Sequence, residues 1–400
     1  QASWSEKATQ GKLFAIDLNL FSQFPSASVD GLLRFTPGTI TLLEQGPDKS
    51  LQPFAIRVTD YQQQHHRVFE RGAVGPRSWL YALQAAKVSV TVYGIWLGHV
   101  YHWHIVTAAM LKAMQRNLSE GHPVRALLGP QSDFLIQFDE ILLLAWRFIA
   151  PPTSFDTPDA FLNLIDAFAR GRSFFDDDPS VELDQHGILE GDFSDQRPWA
   201  RYPIVPYYLD LYQASGKYVQ AVVEASYASD GEVADDQELQ AWLAEAAEPG
   251  AGNLNGLGDG VQTRQALQNT LTSLMYRLTM HGCSRLHKSL SPVLMSAANY
   301  PVCLQREDIP QDDNFRLLDY LPKTGTIGLM IRFYSIFIYS APYVPLLPEG
   351  GVETDLYFAA DPGEPRNRAL VAFRRSVLEL MQRCQPERDQ GQQWPRNIET

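Results

Sequence analysis

Imidazole is the commonest protein ligand for transition metals, and the nine histidines of this chain are unevenly spread. Three fall close together, His99, His102 and His104, in the run GIWLGHVYHWHIVTAAM. A second pair, His281 and His287, sits in MHGCSRLHKSLS. On a regular helix, residues three or four apart share a face, so His99 and His102 can address one ligand. His99 and His104, five apart, would need a π-bulge, a rare feature that tends to mark functional sites. Two histidine-bearing helices can clamp one ion in a helical interior. A buried, hydrogen-bonded histidine on an aromatic-rich helix is the better account of any one of these residues alone, while their clustering on two helices balances the two readings and spacing alone leaves both open. His122 opens HPVRALL, His65 and His66 lie in a Gln-rich loop, and His186 stands alone in a polar connector.

Other chemical signatures are weak. GxSxG, Walker, GxGxxG and HExxH motifs are all missing from the sequence. The glycine-rich stretch Gly256 to Gly260 reads as a flexible connector, and the carboxylate runs Asp176–Asp178 and Asp235–Asp236 read as solvated surface.

The elements that must position the histidines change character along the chain. Over residues 1–78, Leu13–Asp17, Thr39–Leu43 and Phe54–Thr59 read as strands separated by turn punctuation. From Trp79 onward the apolar spacing is helical: Trp79–Asn117, Ser132–Phe148, Pro206–Tyr227, Gln237–Glu245, Val261–Leu290, Thr326–Tyr339 and Arg366–Gln385. Phe174–Asp184 and Glu248–Gly260 read as polar connectors between them. No strand pattern recurs between helices, which excludes a doubly wound α/β sheet. The expectation is a mainly α fold, residues 79–400, with a small N-terminal β element in 1–78, together forming one domain over 1–400.

Composition bounds the partners. With 33 basic and 46 acidic residues the net charge is −13, a sign repelled by nucleic acid and by anionic membrane surfaces. Three cysteines without a CxxC pair, Cys283, Cys303 and Cys384, exclude a disulfide scaffold and a zinc ribbon, and fit a reducing, cytoplasmic compartment. No charged-then-apolar leader opens the chain, and its first residue, Gln1, reads as a processed edge. Ile327 to Leu346 is apolar enough to suggest a membrane span, but Arg332 interrupts it and Pro342 and Pro345 break its end. A buried core helix is the better reading.

Taken in order, several blocks resemble the catalytic domain of lipoxygenases, and the likeness runs from about Gly11 to Thr400. GKLFAID resembles the family's strand motif, and TLLEQGPDKSLQPFAIRV its early hairpin. Trp79 to Leu128 is similar to its long central helix, with RNLSEGHP (Arg116–Pro123) resembling RxLSxxHP. Tyr218–Glu245 resembles its acidic ELQAW segment, CSRLHKSLS (Cys283–Ser291) its CSAQHAAVN, and DYLPKTGT (Asp319–Thr326) its SLP…T element. The resemblance implies a lipoxygenase-like helical fold around a central helix, without the N-terminal lipid-binding β-sandwich of many plant and animal members.

It further implies a non-haem iron held by two histidines of the central helix, a histidine and a weak partner on a later helix, and a C-terminal main-chain carboxylate. Counted back from His122, the second central-helix ligand falls on His99 and the first on Gly94, which has no side chain to offer. In that register the implied metal set is His99, His287, Ser291 and the carboxylate of Thr400. Two alternatives remain. A shifted register makes His99 and His104 the family's His-x4-His pair, or His102 swings in as a replacement. The implied activity is oxidoreductase chemistry with Fe(II)/Fe(III) and O2, as a dioxygenase acting on a polyunsaturated fatty acid or on a diverged apolar small molecule. The departure at Gly94 supports the other class of reading, a non-catalytic lipoxygenase-like protein that binds a ligand or a partner.

Overall fold

A computed structural model describes residues 4–9, 13–29, 31–46, 51–144, 152–185, 204–281, 301–336, 346–348, 350–359 and 361–389. The chain forms two compact units, each assembled from separate stretches of sequence. The first comprises Gln1–Gly98, Trp146–Arg170 and Ser291–Tyr339; the second comprises His99–Ala145, Gly171–Leu290 and Ser340–Thr400.

The first unit contains the sheet. Strands β1 (Leu13–Leu18), β2 (Ala27–Val29), β3 (Leu32–Arg34), β4 (Gly38–Gln45), β5 (Leu51–Thr59) and β6 (His66–Glu70) follow one another, with β2 and β3 forming a separate two-stranded ribbon. The four-stranded sheet runs in the order β1-β4-β5-β6, antiparallel throughout. Its register shifts between Leu42 and Leu43, where Leu43 faces Pro53. Proline has no N–H to give the ladder, so it sits where pairing is irregular. Gly38 opens β4 because a Cβ there would lie 2.8 Å from that of Ser22, in the turn that follows β1. The three expected strands lie within β1, β4 and β5. β2, β3 and β6 were not anticipated: β2 and β3 have three residues each, and HRVFE buries only Phe69 while leaving Val68 48% exposed.

Above the sheet runs a helix over Pro76–Val92. Pro76 suits the first turn, where its missing N–H costs nothing. The Asp313 carboxylate accepts from the amides of Ser78 at 2.6 Å and Arg77 at 3.3 Å, so the capping group comes from a distant loop. Tyr81 is fully buried against Phe69, Phe315 and Tyr320. A further helix, Pro158–Ala169, begins at Thr157, whose hydroxyl caps the Ala160 amide.

The second unit is helical among its described residues. Helix Ile204–Ser226 packs against Arg264–Tyr276 and Pro365–Asp389, and Val106–Asn117 packs against Gln237–Ala247. Trp242 is completely buried and donates its indole N–H to the Met110 carbonyl at 2.9 Å. Tyr218 stacks on Phe373, centroids 5.1 Å apart. The mainly helical architecture with an early β element matches the expectation from sequence. Among the described residues, no helix is long and apolar enough to cross a membrane. The apolar stretch from Ile327 begins within the helix Thr324–Ile336, residues 337–345 lie outside the described residues, and Leu346 is fully buried.

Cys303 is fully buried, and desolvation pushes its thiol up to about 12. The thiolate is the reacting form, so the native protein held at pH 8 with iodoacetamide should show no modification of Cys303 by peptide mass spectrometry. Denaturant should expose it to rapid alkylation.

Candidate metal centre

The expected Trp79–Asn117 helix is continuous, but its winding changes twice. Pro76–Val92 is α-helical, Tyr93–Ile105 is π-helical over 13 residues, and Val106–Asn117 returns to α. In an α-helix, residues five apart point about 140° away from one another. The i→i+5 bonding of a π-helix places them on one face. That winding brings the Nε2 atoms of His99 and His104 to 3.2 Å, with ring centroids 4.8 Å apart and the ring planes at 82°. Both are buried, at 2% and 7% exposure. Trp103 flanks them, 5.3 Å from the His99 ring and 4.4 Å from that of His104.

His102, between them in sequence, serves a different partner. Its Nδ1 lies 2.6 Å from Asp177 Oδ2. Burial lowers the His102 pKa despite that carboxylate, so the two groups meet as a close polar contact that burial makes costly to charge on the imidazole side. Burial opposes ionisation of Asp177 as well, but the His102 N–H and the Arg277 and Arg172 guanidinium groups hold its carboxyl well below the usual range. Arg172 donates to Asp177 Oδ1 at 2.5 Å, and Arg277 stands 3.5 Å from Oδ2. Arg277 also donates to the Phe174 carbonyl at 2.6 Å and to the His102 carbonyl at 3.5 Å, and lies over the Phe174 ring. Next in the chain, Asp178 accepts from Ser273 at 2.5 Å and Tyr212 at 2.8 Å.

This corrects the reading of Asp176–Asp178 as solvated surface. Asp178 is 5% exposed, and Asp177 has three cationic or N–H partners. Sequence reasoning missed both carboxylates, and the available signal was Arg277, one cation on an otherwise apolar helical face. The Asp235–Asp236 run is corrected in the same way at its second residue. Asp236 caps helix Gln237–Ala247 through the Leu239 amide at 3.0 Å and accepts from His122 Nε2 at 3.0 Å and Tyr227 at 2.8 Å. The amide of Val124 donates to His122 Nδ1, so the ring's proton sits on Nε2 and His122 serves this helix junction.

Two imidazole nitrogens about 2.0–2.1 Å from one ion, at octahedral to tetrahedral angles, stand about 2.9–3.4 Å apart. The His99–His104 pair meets that condition, and neutral imidazole nitrogens suit a first-row transition metal. Among the described residues no group of three or more His, Cys, Asp or Glu side chains is arranged to hold a metal. His287, Ser291 and Thr400 lie outside the described residues. At position 94, an added Cβ would meet nothing within 4 Å.

The lipoxygenase family model matches residues 6–139, a stretch that contains His99, His102, His104 and His122. The chain is 24% identical over 314 residues to the polyunsaturated fatty acid lipoxygenase ALOX15B of Rattus norvegicus, covering 75% of this chain and 42% of that protein. It is 28% identical over 284 residues to the linoleate 9/13-lipoxygenase of Pseudomonas aeruginosa, covering 68% of this chain and 40% of the bacterial protein. Over these stretches the chain is similar to lipoxygenases of animals and bacteria. It spans about two fifths of the length of these curated relatives. Its fold is that of solved lipoxygenases. A coral 8R-lipoxygenase superposes with a TM-score of 0.79 at 16% identity, covering 100% of this chain and 59% of that one. A calcium-dependent 11R-lipoxygenase gives 0.77 at 18%, covering 99% and 57%.

In this lipoxygenase fold the Asp236 junction should show a pH-dependent contribution to stability. Burial raises the Asp236 pKa, but the Leu239 amide, Tyr227 and His122 outweigh it and hold the carboxyl low. A depressed carboxyl contributes stability that is present above its unfolded pKa of about 4 and lost as pH falls through the folded value. Tyr227→Phe should therefore cost about 1–2 kcal/mol at neutral pH, and urea titrations should show the deficit shrinking below pH 4.

Proposed function

We propose that the chain is a non-haem iron oxygenase acting with O2 on a polyunsaturated fatty acid or another apolar small molecule, and that His99 and His104 supply two of its metal donors. The observation that carries this reading is the 3.2 Å approach of their Nε2 atoms in a buried π-helical turn. Similarity to lipoxygenases supports the choice of iron and of an oxidised lipid, since the relatives named above act on polyunsaturated fatty acids or linoleate. Iron, when bound, supplies one-electron chemistry at a bis-allylic C–H bond and a place for O2 to react.

The chain's own residues have simpler tasks. His99 and His104 present lone pairs from opposite ends of one π turn, and their burial keeps bulk water from competing for the metal. Trp103 packs on both rings and limits their rotation. His287 is the third nitrogen donor in this proposal, with Ser291 and the Thr400 carboxylate as the oxygen donors carried by the family resemblance. Gly94 then has no ligand role, and its lack of a side chain is no argument for a non-catalytic protein. His102 presents its Nδ1 to Asp177 and, in the π register, lies off the face that joins His99 and His104, so it is not one of the two donors of this proposal.

Elemental analysis of the purified chain after loading with Fe(II) separates the registers. His99→Ala, His104→Ala and His287→Ala should each reduce iron affinity by more than about tenfold, whereas Gly94→His should leave iron content unchanged. Full iron retention in His104→Ala would overturn the pairing. An iron-loaded chain that consumes no oxygen with linoleate or arachidonate would exclude the fatty-acid substrate.

A further inference from the structure

The winding of Tyr93–Ile105 decides which two histidines meet. In an α-helical register His99 would share a face with His102, three residues on, and His104 would point elsewhere. In the π register His99 meets His104, and His102 leaves that face. The two pairings exclude one another, so whatever fixes the position of His102 also selects the partner of His99.

The structure provides such a fixture. The His102 ring is 3% exposed and engaged by Asp177 at 2.6 Å. Asp177 is itself held from two sides, by Arg172 at 2.5 Å on one oxygen and by Arg277 at 3.5 Å on the other. Arg277 is 1% exposed and ties the same assembly to backbone, through the carbonyls of Phe174 and His102. The clamp thus grips one residue of the π-helix by both its side chain and its main chain. Buried charge of this kind is costly to desolvate and adds little net stability compared with apolar packing, and its best-attested use is to specify one register among several.

We propose that Asp177, braced by Arg172 and Arg277, is a positioning residue that holds His102 and so selects the π-helical register in which His99 and His104 converge on a transition-metal ion. The inference rests on the reading of His99 and His104 as metal donors. Asp177 touches neither donor and acts only through the winding of the helix that carries them. The adjacent Asp178 supplies an internal control. It is buried in the same loop, but it bonds Ser273 and Tyr212, which lie on neighbouring helices and not on the π-helix.

The test compares Asp177→Asn, His102→Leu and Asp178→Asn in the full chain. Two readouts are used: the affinity and visible spectrum of added Co(II), and hydrogen exchange of the segment 99–105 in metal-free protein. Asp177→Asn and His102→Leu should weaken Co(II) binding by about tenfold or more, alter its d–d bands and speed exchange of 99–105. Asp178→Asn should lower Tm while leaving the spectrum and that exchange at wild-type values. Wild-type Co(II) affinity and exchange in Asp177→Asn would overturn the clamp, as would an equal response in Asp178→Asn, which would reduce Asp177 to general packing. A wild-type chain that binds no Co(II) would instead overturn the donor-pair reading, and the exchange comparison would still decide the clamp.

Discussion

A helix can bring residues five apart together only by abandoning the α winding, and the candidate site depends on that constraint. Between Tyr93 and Ile105 the chain adopts i→i+5 winding for 13 residues, far longer than the single-turn bulges in which π geometry is usually found. The junction residues Tyr93 and Ile105 both keep right-handed helical φ and ψ, so the change is one of phase rather than a break. His99 and His104 are consequently pre-aligned by backbone geometry, not by flexible side chains reaching from a loop. A donor pair set on a rigid element is positioned more closely than one carried by loops.

The buried charges around this helix follow the same logic. Asp177, Asp178 and Arg277 sit in the interior of the second unit, and each has specific partners. Arg374, wholly buried elsewhere in that unit, is held by main-chain carbonyls, its terminal nitrogens donating to those of Val352, Thr354 and Asp355. Carbonyls can balance a guanidinium where the surrounding loop is wrapped closely around it. Desolvation penalises every one of these groups, and what they provide in return is a defined position for loops that apolar packing alone would let slide. The segment from Arg172 to Asp178 is therefore an internal wall of the second unit, although its composition is that of a surface connector.

Much of the framework was legible in the sequence for plain physical reasons. The β5 region alternates and then runs apolar, and the long helices carry wide apolar stripes, so their periodicity survived in the pattern. Short elements did not: β2 and β3 have too few residues to show a period. Helix Pro158–Ala169 was overlooked even though Thr157-Pro158 is a readable start signal. The need for π winding to join His99 and His104 was visible from their spacing, but whether the chain adopts it is a tertiary matter. Propensity cannot report that His102 will be drawn away by a carboxylate 75 residues downstream. Asp177 was misread for the mirror-image reason. Three consecutive aspartates suggest solvent unless one already knows which cations converge on them, and Arg172 and Arg277 come from separate parts of the chain.

The local sequence nevertheless prepares the π segment. Gly94 and Gly98 each weaken the α alternative by about 1 kcal/mol relative to alanine, and β-branched and aromatic residues are also poorer α formers than leucine or alanine. Ile95, Trp96, Val100, Tyr101, Trp103 and Ile105 fill most of the remaining positions. Open space beside Gly94 shows that no steric demand requires glycine there, which leaves backbone freedom as its contribution. A stretch with a shallow preference for α winding can be rephased by a few strong tertiary contacts, and the Asp177–His102 bond is one of them. The glycine that breaks the expected ligand pattern in one register is, in the other, part of what lets His99 and His104 meet.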